Sequence, residues 1–175
     1  MSLSGKKVLV LAADLVDERE LLYPTIRLRE EGADVVVAGL TDEPVKGNKG
    51  MMAIPVDRSI AGVKVDDFDG VVIPGGFAPD FMRRSQELVD LVRDFEAANK
   101  PIGFICHAGW VPVSAGLLKG RRATSFFGIK DDLINAGAEW VDEAVVVDGP
   151  LISSRTPDDL GPFMKAVIAA LEAQE

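Results

Sequence analysis

The stretch Lys7-Val8-Leu9-Val10-Leu11-Ala12 is short, apolar and rich in branched side chains, and Asp34-Val35-Val36-Val37-Ala38-Gly39 repeats its character. Neither alternates polar with apolar residues, so each reads as a strand covered on both faces. Between them, Asp17–Glu31 has helical spacing. It places Leu21, Leu22, Ile26 and Leu28 largely on one side, with Gly32 as the stop. Strand, helix, strand without alternation is the pattern of a parallel sheet flanked by helices.

The buried-strand pattern returns at Asp69–Ile73, which ends in Pro74-Gly75-Gly76, and again at Ile102–Ile105. Ser85–Asn99 reads as a helix with Ser85 as N-cap, and His107–Leu118 as another. Residues 44–46 and 51–56 flank Gly47-Asn48-Lys49-Gly50 and predict a hairpin. Ala144–Val147 and Leu151–Ser153 flank the turn Asp148-Gly149-Pro150. Thr156-Pro157-Asp158-Asp159 predicts a helix start. Thr156 caps, Pro157 suits the first helical position, and the aspartates favour the positive end of the dipole. The last helix then runs to about Leu171. The expected fold is a three-layer α/β/α sandwich with a mostly parallel sheet, one domain over residues 1–175. Residues 1–4 are expected to lie outside it, disordered or a remnant of cloning.

Composition narrows the function. A hydrophobic content of 47% is ample for a core, and a formal charge of −9 argues against nucleic acid and against an anionic membrane surface as partners. The longest apolar runs, Val8–Ala13 and Val35–Leu40, are too short to span a bilayer. A single cysteine excludes an intramolecular disulfide framework and fits a cytoplasmic location. With a single histidine as well, a zinc site of sulfur and nitrogen ligands is disfavoured, and no cofactor is expected.

That cysteine, Cys106, and that histidine, His107, are neighbours at the end of the Ile102–Ile105 strand. Ile105-Cys106-His107-Ala108-Gly109 has the small residues a nucleophile elbow needs. Free N–H groups at a helix start favour thiolate, so a lowered thiol pKa is expected, against an unperturbed value of about 8.5. In open parallel sheets ligands collect at the carboxyl ends of strands. Gly75-Gly76 ends another strand, and its backbone N–H groups, with that of His107, suit an oxyanion hole. Asp17, Glu18 and Glu20 open the first helix, where acids usually serve the dipole. One buried beside the thiolate would have a raised pKa and would donate a hydrogen bond to sulfur. Asp80 reads either as an N-cap or as a carboxylate orienting His107. His107 is the leading base, although helical neighbours do not face each other. Tyr23 and Trp110 read as packing or pocket walls.

Taken with Leu22-Tyr23-Pro24, Ile73-Pro74-Gly75-Gly76-Phe77-Ala78-Pro79-Asp80, Asn135–Asp142, Val145–Gly149 and Ser154–Leu160, the chain resembles the PfpI family over nearly its whole length. These are relatives of the Parkinsonism-associated deglycase within the class I glutamine amidotransferase-like superfamily. The resemblance implies a flavodoxin-like fold with Cys106 on the elbow and His107 paired with Asp80 of a neighbouring subunit. The assembly would then be a homo-oligomer, a dimer or larger. It also implies an acid hydrogen-bonded to the thiol, here Asp17, where many members carry glutamate. Many members have Gly-Pro after the histidine; here Ala108-Gly109-Trp110 stands. The glutaminase branch needs a distant His-x-Glu pair, which this sequence lacks. The function so implied is a cysteine-dependent hydrolase or lyase protecting against reactive carbonyl species or their adducts. The alternatives are an intracellular cysteine peptidase acting on peptides, and a redox-responsive stress protein without turnover.

Overall fold

The computed structural model describes residues 2–174. The strands are β1 (Lys7–Ala12), β2 (Asp34–Gly39), β3 (Arg58–Ser59), β4 (Gly70–Ile73), β5 (Ile102–Ile105), β6 (Arg122–Ala123), β7 (Glu139–Trp140), β8 (Val145–Asp148) and β9 (Leu151–Ser154). The helices are α1 (Glu18–Glu30), α2 (Ala78–Met82), α3 (Gln86–Ala97), α4 (Trp110–Ala115), α5 (Lys130–Asn135) and α6 (Leu160–Glu172).

The main sheet runs β3-β2-β1-β4-β5-β9-β8, with β6 and β7 paired separately. Its neighbours are parallel except the β8–β9 hairpin. Helices α1 and α6 pack together on one face; α3 and α4 pack together on the other. Every residue of β4 and β5 is buried, as their unbroken apolar character requires. Gly103 lets α6 approach the sheet: a Cβ there would lie 2.9 Å from Val167 Cγ2 and 3.1 Å from Phe163 Cζ. Among the described residues, no helix is long and apolar enough to cross a membrane.

From β1 the chain steps outward to β2 on one side, and β4 fills the other. The strand order therefore reverses between β1 and β4, and a crevice opens at their carboxyl ends. The loops after β1 and β4 are zipped together there. Phe77 N–H donates to Leu15 O (2.8 Å) and Asp17 N–H to Gly75 O (3.3 Å).

Several local expectations are corrected. Thr156 makes no side-chain cap, because the Asp159 N–H that its hydroxyl would accept from donates to the Thr156 carbonyl instead (2.9 Å), closing a tighter 3-10 turn. The 44–56 hairpin forms only in outline: Val45 and Ile54 exchange both backbone bonds and Gly47 N–H donates to Met51 O, but no strand ladder extends from them, because other backbone groups of the segment bond to the β1–α1 loop. Ile26 is 55% exposed, since Pro24, Thr25 and Leu28 carry the buried side of α1. Of the N-terminal residues set aside above, Leu3 is fully buried and its N–H donates to Glu31 O (2.9 Å); Met1 lies outside the described residues. Ser85 caps α3 as expected, its Oγ accepting from Leu88 N–H at 3.3 Å.

Candidate active site

Cys106 follows β5 with φ +62°, a left-handed conformation unusual for a residue with a Cβ. This strained elbow lifts the thiol out of the strand and turns the chain into a short 3-10 segment, Cys106–Gly109. It also answers the objection about sequence neighbours. His107 Nδ1 stands 3.2 Å from Cys106 Sγ. The imidazole stacks on Phe126 (centroids 4.7 Å apart) and meets the edge of Trp110 at 5.3 Å. Burial lowers its pKa, so it is neutral near pH 7 and can accept a proton.

The acid beside the sulfur is Glu20, not Asp17. Asp17 is the N-cap of α1, accepting from the backbone N–H of Arg19 (3.0 Å) and from its guanidinium Nε (3.1 Å) and Nη2 (2.8 Å). Burial pulls the Asp17 pKa upward, but these bonds prevail and hold the carboxyl below its usual range. Glu20 lies one turn on, fully buried and against the thiol. One of its oxygens accepts from Gly75 N–H at 2.7 Å, while Oε1 is buried without an oxygen or nitrogen partner. Burial first, then the Asp17 charge, pushes its pKa up to about 8. The signal was in the helix spacing: Glu20, Pro24 and Leu28 share the buried stripe of α1, whereas residue 17 precedes the helix.

This arrangement also corrects the electrostatic expectation for Cys106. The N–H groups of His107 and Gly76 point at the sulfur and favour thiolate, but burial and the Glu20 carboxylate outweigh them and push the thiol up to about 12. The two groups titrate as a coupled pair. The first proton to leave is shared between carboxyl and thiol, and the reactive form is thiolate with Glu20 protonated beside it.

Gly75 is likewise reassigned. Its N–H is committed to Glu20, so the free donors toward the sulfur are Gly76 and His107. Gly76 adopts φ +73°, and a Cβ there would lie 2.4 Å from Asp17 N and 2.5 Å from Leu15 O. Only glycine fits this turn. Asp80 lies in the first turn of α2 and pairs with Arg84, just past the end of that helix. Within one chain no bond joins it to His107 among the described residues.

These side chains open onto a pocket of about 340 Å³, walled by Arg19, Phe77, Phe126 and Pro157 and by the loop residues Asn48 and Lys49. Glu18, 6% exposed, holds that loop. It accepts from Lys49 N–H (2.9 and 3.0 Å) and Met51 N–H (3.1 Å).

Residues 6–170 match the model of the DJ-1/PfpI family. Deglycase PfpI of Pyrococcus furiosus is 42% identical over 95% of this chain and 99% of its own length. Protein/nucleic acid deglycase 2 of Escherichia coli is 38% identical over 97% of this chain and 99% of its own. The crystal structure of Drosophila melanogaster DJ-1beta superposes with a TM-score of 0.90 at 35% identity, over 97% of this chain and 91% of that one. With its elbow cysteine, its buried glutamate and this extent of match, the chain belongs to the DJ-1/PfpI family.

Proposed function

We propose that this protein is a cysteine-dependent, stress-protective enzyme acting on reactive carbonyl compounds or their adducts, in the manner its relatives' deglycase names describe. The observation that carries it is the joint placement of Cys106 Sγ, His107 Nδ1 at 3.2 Å and the buried Glu20, whose pKa lies near the working pH. The thiolate adds to an aldehyde carbon, forming a C–S bond, and the carbonyl oxygen becomes an oxyanion facing the Gly76 and His107 N–H groups. Glu20 returns a proton to the site. For a 2-oxoaldehyde, neutral His107 moves a proton from the aldehyde carbon to its neighbour, and water then releases the hydroxy acid and the thiol. One carbon is oxidised as the next is reduced, so no external oxidant is needed. For an amine or thiol adduct, the carried amine or thiol leaves first with a proton from Glu20 as the adduct's hydroxyl gives up its own proton and collapses to the aldehyde, and the thiolate then adds to that aldehyde. The test is conversion of methylglyoxal to lactate by purified protein, in a buffer free of amines. Absence of lactate rejects the carbonyl reading.

The pocket volume favours small carbonyls over a peptidase's extended groove. A redox-sensing role is supported by one observation, the unpartnered Glu20 Oε1 beside the thiol, which suits an added sulfur oxygen. Mild peroxide is then expected to add two oxygens to Cys106 by intact mass. An unchanged mass removes this role.

We place the protein in the cytoplasm, where a lone free thiol persists. We also read it as a homo-oligomer whose Asp80 reaches His107 of a neighbouring subunit. Phe77 and Phe126, 46% and 38% exposed beside the pocket, support a covering partner. Asp80→Ala is expected to lower turnover about ten-fold or more by misplacing the imidazole, while light scattering still reports the oligomer. Full activity in Asp80→Ala removes it from the mechanism.

A further inference from the structure

The chain is strongly acidic, with a formal charge of −9, yet the pocket at Cys106 is not. Its charged lining consists of Asp17, Arg19, Glu20 and Lys49. Asp17 and Arg19 neutralise each other through a two-pronged bond. Glu20 is protonated near neutral pH because burial disfavours its charge. Lys49 alone has no compensating carboxylate on its ammonium among the described residues, and its side chain is on the exposed rim. The field of the distant surface acids is screened over about 8 Å at physiological salt, and the nearby Glu18 carboxylate is committed to the N–H groups of Lys49 and Met51, so the lining Lys49 is left to act on an entering anion.

Lys49 is also placed by the fold. Glu18 grips its backbone N–H with both carboxylate oxygens, and Asn48 N–H donates to Val16 O at 2.8 Å. Gly47 N–H donates to Met51 O at 2.8 Å, closing the loop tip. Gly47 passes so near Glu18 that a Cβ there would lie 2.2 Å from the carboxyl carbon. The loop backbone is thus clipped to the start of α1, and Lys49 on it lines the pocket.

We propose that Lys49 is a specificity residue that gives the Cys106 pocket a preference for carbonyl compounds and adducts bearing a carboxylate, with Glu18 positioning it through the loop backbone. The substrate class rests on the carbonyl reading of the site. The charge preference itself is measurable without turnover, because Cys106 is the only thiol in the chain.

The probe is a pair of near-isosteric alkylating reagents, anionic iodoacetate and neutral iodoacetamide, and the readout is the ratio of their rates at Cys106. In the wild type this ratio is expected to exceed that of the free thiol N-acetylcysteinamide by about three- to five-fold, the size of one partly solvated ion contact. Lys49→Ala should bring it down to the free-thiol ratio, Lys49→Arg should preserve it, and Lys49→Glu should depress it further. Salt at 0.5 M should erode the wild-type excess. A ratio in Lys49→Ala equal to the wild type overturns the proposal. In a parallel arm, release of methylglyoxal from N-acetylcysteine should lose more kcat/KM in Lys49→Ala than release from N-acetylcysteinamide, which lacks the carboxylate. Equal losses count against the preference. If alkylation responds to Lys49 but neither adduct is turned over, the carbonyl reading falls and the charge preference stands.

Discussion

Cys106→Ala is expected to reduce methylglyoxal turnover by at least about 10³-fold, because it removes the atom to which the substrate bonds. The fold should survive. Cys106 is 9% exposed and already carries φ +62°, so alanine inherits the same backbone strain and leaves only a small void where the sulfur was. Lactate production followed beside the unfolding midpoint separates the two effects. Wild-type rates in Cys106→Ala, after correction for buffer amines, would end the enzymatic reading whatever the stability shows.

Glu20→Gln is expected to have the next largest effect, and it acts on both catalysis and stability. Glutamine can still accept from Gly75 N–H but cannot deliver a proton, so turnover should drop about 10²-fold. The alkylation rate of Cys106 against pH should show an inflection near 8 in the wild type, where the coupled pair loses its first proton, and none there in Glu20→Gln. The stability signature follows from the same proton. The folded value, about 8, lies above the unfolded 4.5, so the folded state holds this proton more tightly. Its contribution is full below about pH 4.5 and is lost as pH rises through about 8. Between pH 5 and pH 8.5 the wild type should therefore lose about 3–5 kcal/mol relative to Glu20→Gln in urea unfolding. Groups away from Glu20 titrate alike in both proteins and cancel. A parallel pH dependence in the two sinks the assignment of the buried proton to Glu20.

Much of the fold was legible because its strands are covered on both faces and carry unbroken apolar runs. Lys7–Ala12 and Asp34–Gly39 emerge with their expected bounds and in parallel register. What failed was local and competitive. Thr156 has the right spacing for a cap, yet the Asp159 N–H goes to the Thr156 backbone carbonyl in a 3-10 turn, which spacing does not reveal. The 44–56 segment keeps a short hairpin, but Glu18 and the β1–α1 loop claim the N–H groups of Asn48, Lys49 and Met51, so no longer ladder forms.

By itself the sequence singled out the candidate nucleophile. A lone cysteine beside a lone histidine, after a buried strand and before small residues, leaves little choice of reactive atom. It also determined the sheet that carries this pair, since apolar runs without alternation demand cover on both faces. Only the tertiary structure decided which acid serves the thiol. Asp17 and Glu20 are both acids at the start of α1. The approach of the helix to Gly75 buries Glu20 at the sulfur and leaves Asp17 at the cap with Arg19. It also decided the state of the thiol. A helix start favours thiolate in any sequence, but burial and a neighbouring carboxyl depend on atoms brought together from β4, β5 and α1, and here they prevail.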